Sequence, residues 1–227
     1  MCSREFFTLL AMTVLVVTVA CNKGATSDSN SNQGKPPDTF GDAQSAANAS
    51  LALFRQLVNN QNFRDLGFES PDEVASATLG ESVPVVFVRL DQLREYREGT
   101  DLNNLLSQST QRTFPVLAKD QVRSSIVVEQ VNGRWKMGTL GNGALAKQIA
   151  AARQGQAPGR TNQQSLVHFG ALGLYFLGER GDNNKWTLKA LAANPDLNLA
   201  AGSALPAEEV FARLSGIAKT LRDDAPM

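Results

Sequence analysis

The dipeptide Asn132-Gly133 restricts the fold of this chain more than any other feature. A two-residue turn of this kind uses left-handed backbone at both positions and joins antiparallel strands. The flanking residues are therefore committed to a hairpin. Pairing outward sets Val131 against Arg134, Gln130 against Trp135, Glu129 against Lys136 and Val128 against Met137. Ile126, Val128, Trp135 and Met137 then share one face, while Glu129, Arg134 and Lys136 share the other. One face can bury an aromatic ring, and the other carries an opposite-charge pair in solvent.

The neighbouring segments extend this unit. Residues 113–118 read as a third strand and residues 143–153 as a helix. The order then returns: strands over 165–169, 172–179 and 185–192, a turn at Gly181-Asp182-Asn183-Asn184, and a helix over 206–221. That helix carries Val210, Phe211, Leu214, Ile217 and Leu221 at helical spacing, with Glu208 and Glu209 in its first turn to complement the dipole. Trp135 and Trp186 stand at equivalent places, which suggests two βββα units in one domain. Upstream, Ala43, Ala47, Leu51, Phe54 and Val58 line one face of a helix over 42–58. Ser70-Pro71-Asp72-Glu73 has the pattern of a capping box, predicting a helix over 71–79 that stops at Gly80. Residues 83–90 are apolar on both faces until Arg89, as in a covered strand. Together these segments predict an α+β fold, a mainly antiparallel sheet with helices packed on one face, in a single domain over 42–227.

Composition narrows the function classes. Lys and Arg total 22 and Asp and Glu total 22, and 42% of residues are hydrophobic, so the chain is neither polybasic nor a disordered acidic polymer. Neutrality conceals a division. Residues 65–101 hold nine acids against Arg89, Arg94 and Arg97, whereas residues 130–178 hold Arg134, Lys136, Lys147, Arg153 and Arg160 with no acid. These five cations are candidate contacts for an anionic lipid head or envelope polymer. The alternative is that the acidic and basic stretches neutralise each other or are solvated. Few aromatics and zero net charge argue against nucleic acid as a partner.

Two motifs invite a chemical reading. Gly141-Asn142-Gly143-Ala144-Leu145-Ala146 lies between a strand and a helix, the setting of a dinucleotide-binding turn. That site also needs an acid about 20 residues on to hold the ribose, and none occurs before Glu179. The strand before it belongs to an antiparallel hairpin, so a structural turn is expected and no cofactor. His168 is the only histidine and sits in the apolar run Leu166-Val167-His168-Phe169. Zinc needs three or four Cys, His or carboxylate ligands, and no second His accompanies it, so no metal is expected. A strand histidine with a satisfied hydrogen bond is the simpler expectation. No G-x-S-x-G or S-x-x-K motif is present.

The first segment speaks to location. Phe6 to Ala20 runs fifteen residues without a charge, matching the 7–15 apolar residues of a signal-peptide core better than the roughly 20 of a membrane span. The run closes on Thr18-Val19-Ala20-Cys21. This resembles the lipobox of bacterial lipoproteins. The resemblance implies removal of residues 1–20 and acylation of Cys21 as the new first residue. Cys2 would leave with the signal, so no disulfide could form within a monomer. Asn22 lacks the Asp associated with inner-membrane retention, which implies the outer membrane. Residues 22–41 are rich in Ser, Asn, Gly and Pro and read as a flexible tether, spanning roughly 25 Å r.m.s. and at most about 66 Å.

The expected protein is thus an envelope lipoprotein with one soluble α+β domain that binds rather than catalyses, its partner another envelope protein or a cell-wall component. Two alternatives stay open: a carrier with an apolar pocket between sheet and helices, and a carboxylate-based glycan hydrolase, whose paired acids would meet only in space.

Overall fold

The computed structural model describes residues 39–106, 109–154 and 163–221. The expected signal peptide over 1–20, Cys21, residues 22–38 of the tether, and Arg160 lie outside the described residues.

Helix α1 (Ala43–Leu57) begins where Asp42 accepts hydrogen bonds from the Ser45 N–H and hydroxyl, both at 2.8 Å. These bonds, the backbone one first, hold the Asp42 carboxyl below its usual range. Ala43, Ala46, Ala47, Leu51 and Phe54 form its buried stripe. The helix expected over 71–79 is shorter. Helix α2 (Asp72–Ala75) is one turn, and β1 (Thr78–Leu79) follows it. The cause is a competing partner: Thr78 and Leu79 pair with Leu117 and Val116, and the Gly80 N–H donates to the Pro115 carbonyl. Nor does Ser70 cap this helix. Glu73 instead turns back to accept the Glu69 N–H at 2.9 Å.

The rest runs β2 (Val83–Val88), α3 (Leu90–Glu95), α4 (Asn103–Leu106), β3 (Gln111–Ala118), β4 (Gln121–Val131), β5 (Arg134–Leu140), α5 (Gly143–Arg153), β6 (Gln164–Phe169), β7 (Leu174–Arg180), β8 (Trp186–Ala190), β9 (Ala204–Pro206) and α6 (Ala207–Ala218). The β4–β5 register agrees with the pairing read from Asn132-Gly133 at all four positions. Asn132 and Gly133 take φ of +52° and +76°, the left-handed pair such a turn requires.

Among the described residues one nine-stranded sheet forms, ordered β5-β4-β3-β2-β6-β7-β8-β9, with β1 also on β3. Every pairing is antiparallel except β2 with β6. The fold is α+β with a mainly antiparallel sheet. Two meanders of consecutive strands, β3-β4-β5 and β6-β7-β8-β9, each lead into a helix, α5 and α6, and meet through β2. Trp135 and Trp186 lie on the third strand of their respective meanders.

Alternation along β2 assigns the helices to faces. Val86 and Val88 join Val167, Phe169 and Phe176 under α3 and α6, while α1 covers Phe114, Ile126 and Val128 on the same side. Val83, Val85, Leu166 and Leu177 point the other way, against Ile149 and Ala152 of α5. Helices α1, α3, α4 and α6 therefore share one face, and α5 covers the opposite face as it carries the chain across to β6, where helices on one face alone were expected. Phe211 of α6 is fully buried against Tyr96 and Phe169, with ring centroids 5.4 and 5.3 Å away. Burying such a side chain contributes about 1.5–3 kcal/mol. No helix among the described residues is long and apolar enough to cross a membrane.

Candidate functional site

The turn at 181–184 lies beside an opening lined by charged and polar side chains. The Gly181 N–H donates to the Lys185 carbonyl and the Lys185 N–H donates to the Asn183 side chain, closing the β7–β8 hairpin. That closure sets Arg180 opposite Trp186, both on the face covered by α6. The Trp186 indole N–H donates to the Asn103 side-chain oxygen at 3.1 Å, drawing α4 and its Leu106 against the same end of the sheet. Between them opens a cleft of about 540 Å³ floored by Pro84, Leu106 and Trp186. Gln164, Ser165 and Arg180 supply its polar wall, and Asp182 and Asn184 its rim.

Gln164 is almost fully buried, and its side-chain oxygen accepts from Arg153 Nε at 3.0 Å. Arg153 also donates to the Glu81 carbonyl at 3.3 Å. Burial lowers the pKa of this guanidinium, and the Glu81 charge opposes that shift. Arg180 differs. Its Nε is buried, and the guanidinium makes no hydrogen bond or ion pair with a described residue. An N–H buried without an acceptor is costly, and Arg123 Nε and Arg153 Nη2 share that state, but Arg180 is the one of the three that lines this cleft.

Of the five cations expected as anion contacts, the four among the described residues, Arg134, Lys136, Lys147 and Arg153, do not line this cleft. Arg153 is committed to Gln164 and Glu81. Lys136 pairs across from Glu129 on β4, with Arg134 beside the turn, and Lys147 is exposed on α5. Acidic and basic stretches do meet elsewhere. Buried Glu73 receives Arg123 Nη2 and Lys119 Nζ, each at 3.2 Å, and Arg123 Nη1 reaches Glu69 at 2.8 Å. The Glu69 N–H, then the Lys119 hydrogen bond and the two cationic charges, hold the Glu73 carboxyl below its usual range against the opposing effect of burial. This cluster pins α2 to the β3–β4 hairpin.

Gly141-Asn142-Gly143 is a packing turn. Asn142 caps α5 by accepting the Leu145 N–H at 3.0 Å. A Cβ on Gly143 would lie 2.5 Å from the Arg123 carbonyl oxygen, so the glycine lets α5 approach β4. His168 corrects the expectation of a hydrogen-bonded core histidine. Its half-buried ring stacks on Tyr175 with centroids 4.1 Å apart and meets Phe87 edge-on at 5.1 Å, without a hydrogen bond to a described residue. Burial lowers its pKa, so the ring is neutral at pH 7.

A second cleft, between α3 and α6, collects Glu98, Glu208 and Glu209. Glu98 and Glu208 are exposed, and Glu209 pairs with Arg213. Glu73 is the one carboxylate in the buried set among the described residues, and its neighbours are cations. Among the described residues no group of three His, Cys, Asp or Glu side chains is placed to hold a metal.

The sequence reading passed over Arg180 because a single arginine before a turn has no motif. What sets it apart, a buried nitrogen beside an opening, exists only after α4 and β8 have met. Fold and site thus define an α+β domain with a polar, arginine-bearing cleft at one end of its sheet. No protein-family model, curated protein or solved structure matches the chain.

Proposed function

We propose that this protein is an envelope lipoprotein, acylated on Cys21 and held in the outer membrane, whose folded domain is a non-catalytic binding module. The observation that carries the anchoring half is Ala20-Cys21 at the end of a fifteen-residue uncharged run and at the head of a polar tether. Each CH₂ that an acyl chain buries contributes about 0.8 kcal/mol, and two or more chains anchor stably. The tether then gives the domain reach from the lipid surface towards another envelope protein or a cell-wall component.

The cleft supports the binding half. One guanidinium, one carboxylate, amides and an indole are groups that recognise a ligand and fix its orientation. Its wall is polar, which favours a polar ligand over the lipid of an apolar carrier. Metabolic labelling with a fatty acid should mark the wild-type chain and leave Cys21→Ser unlabelled. Equal labelling of both would remove the anchor.

A further inference from the structure

We propose that the cleft beside the β7–β8 turn binds a small ligand through a free carboxylate, which Arg180 receives, and that a zwitterion such as a short peptide with both termini free is the class it takes. The inference rests on reading the domain as a binding module and is independent of the Cys21 anchor.

Three observations converge. Arg180 lines an opening of about 540 Å³, and its buried Nε has no acceptor among the described residues. Arg180 is half-buried, so the part of its guanidinium that faces the cleft, and not the inaccessible Nε, is what a ligand can meet. A carboxylate matches the planar fork of a guanidinium with two parallel hydrogen bonds. The rim then selects within that class. Asp182 lines the same cleft without pairing with Arg180, so it disfavours a dianion and offers a partner to an ammonium group. Leu106, Pro84 and Trp186 provide apolar surface for the atoms between those charges.

The test uses the full chain in detergent and the dipeptide Ala-Ala as probe, read by the indole N–H signal of Trp186, which Trp186→Phe assigns. Ala-Ala should shift that signal in a saturable way. Converting its carboxylate to an amide should weaken binding about tenfold or more, and Arg180→Met should do the same. Acetylating its amine should weaken binding less, and Asp182→Asn should abolish that difference. Arg180→Met should also unfold at a temperature no lower than wild type, since it removes an unsatisfied donor, whereas a purely structural arginine would lower it. Equal binding of the amide and the acid would overturn the carboxylate assignment while leaving a binding module in place. Tighter binding of inorganic phosphate than of the dipeptide, or no shift with any carboxylate, would overturn it as well.

Discussion

Glu73 shows how a single side chain can organise a region. Its carboxylate is buried and receives both Arg123 and Lys119, the latter from the two-residue turn that joins β3 to β4. Lys119 and Asp120 take φ of +51° and +60°, backbone that non-glycine residues adopt at a cost of roughly 1–2 kcal/mol each. Removing the charge leaves Arg123, itself buried, with only the exposed Glu69 as a partner. Glu73→Gln should therefore cost about 3 kcal/mol, measurable as a lower urea midpoint at pH 7. The depressed carboxyl also fixes the sign of the acid response. Its contribution is complete above the unfolded-state value of about 4.3 and is lost as pH falls through the lower folded value. Wild type should lose stability over that acid window, and Glu73→Gln should show a smaller change there. A parallel pH dependence in the two proteins would mean that other carboxylates carry acid unfolding.

Elements differ in how openly the sequence states them. The Asn132-Gly133 hairpin was legible in its turn and its register, because turn chemistry is local, but not in its faces, since Met137, expected on the buried side, is exposed. The α1 helix was legible from its apolar stripe, though Asp42, counted inside the helix, proves to be its cap. Helix α2 was not. Its caps promised two turns, yet Thr78 and Leu79 gain more by pairing with β3, a partner over thirty residues away that no local pattern announces. The glycine motif before α5 was legible as a turn, while its reason was not, since that lies in the Arg123 carbonyl of a different strand. Gly143→Ala should therefore destabilise the protein by about 1–3 kcal/mol, as overpacking does, although alanine is the better helix former. Thermal unfolding of this variant checks the point. A more stable Gly143→Ala would show that α5 does not press against β4 as described.

At the scale of the whole molecule, the two strand-and-helix meanders suggested by the sequence are joined where β2 and β6 run parallel, a contact that neither meander specifies alone. That joint sends α5 to the far face and brings the opposite end of the sheet together with α4, so the cleft belongs to the assembly. Its residues were accordingly the least legible: Arg180, Asp182, Trp186 and Leu106 come from three elements with no shared motif. The proposed anchoring segment is the reverse case, a linear pattern read without any fold. The two halves of the proposed function meet in one mature product. The intact mass of the protein isolated from the membrane fraction of its native cell tests that product most directly. It should correspond to a product that begins at Cys21 and carries acyl groups; a mass without acylation, or a product beginning at another residue, would contradict a lipid-anchored module.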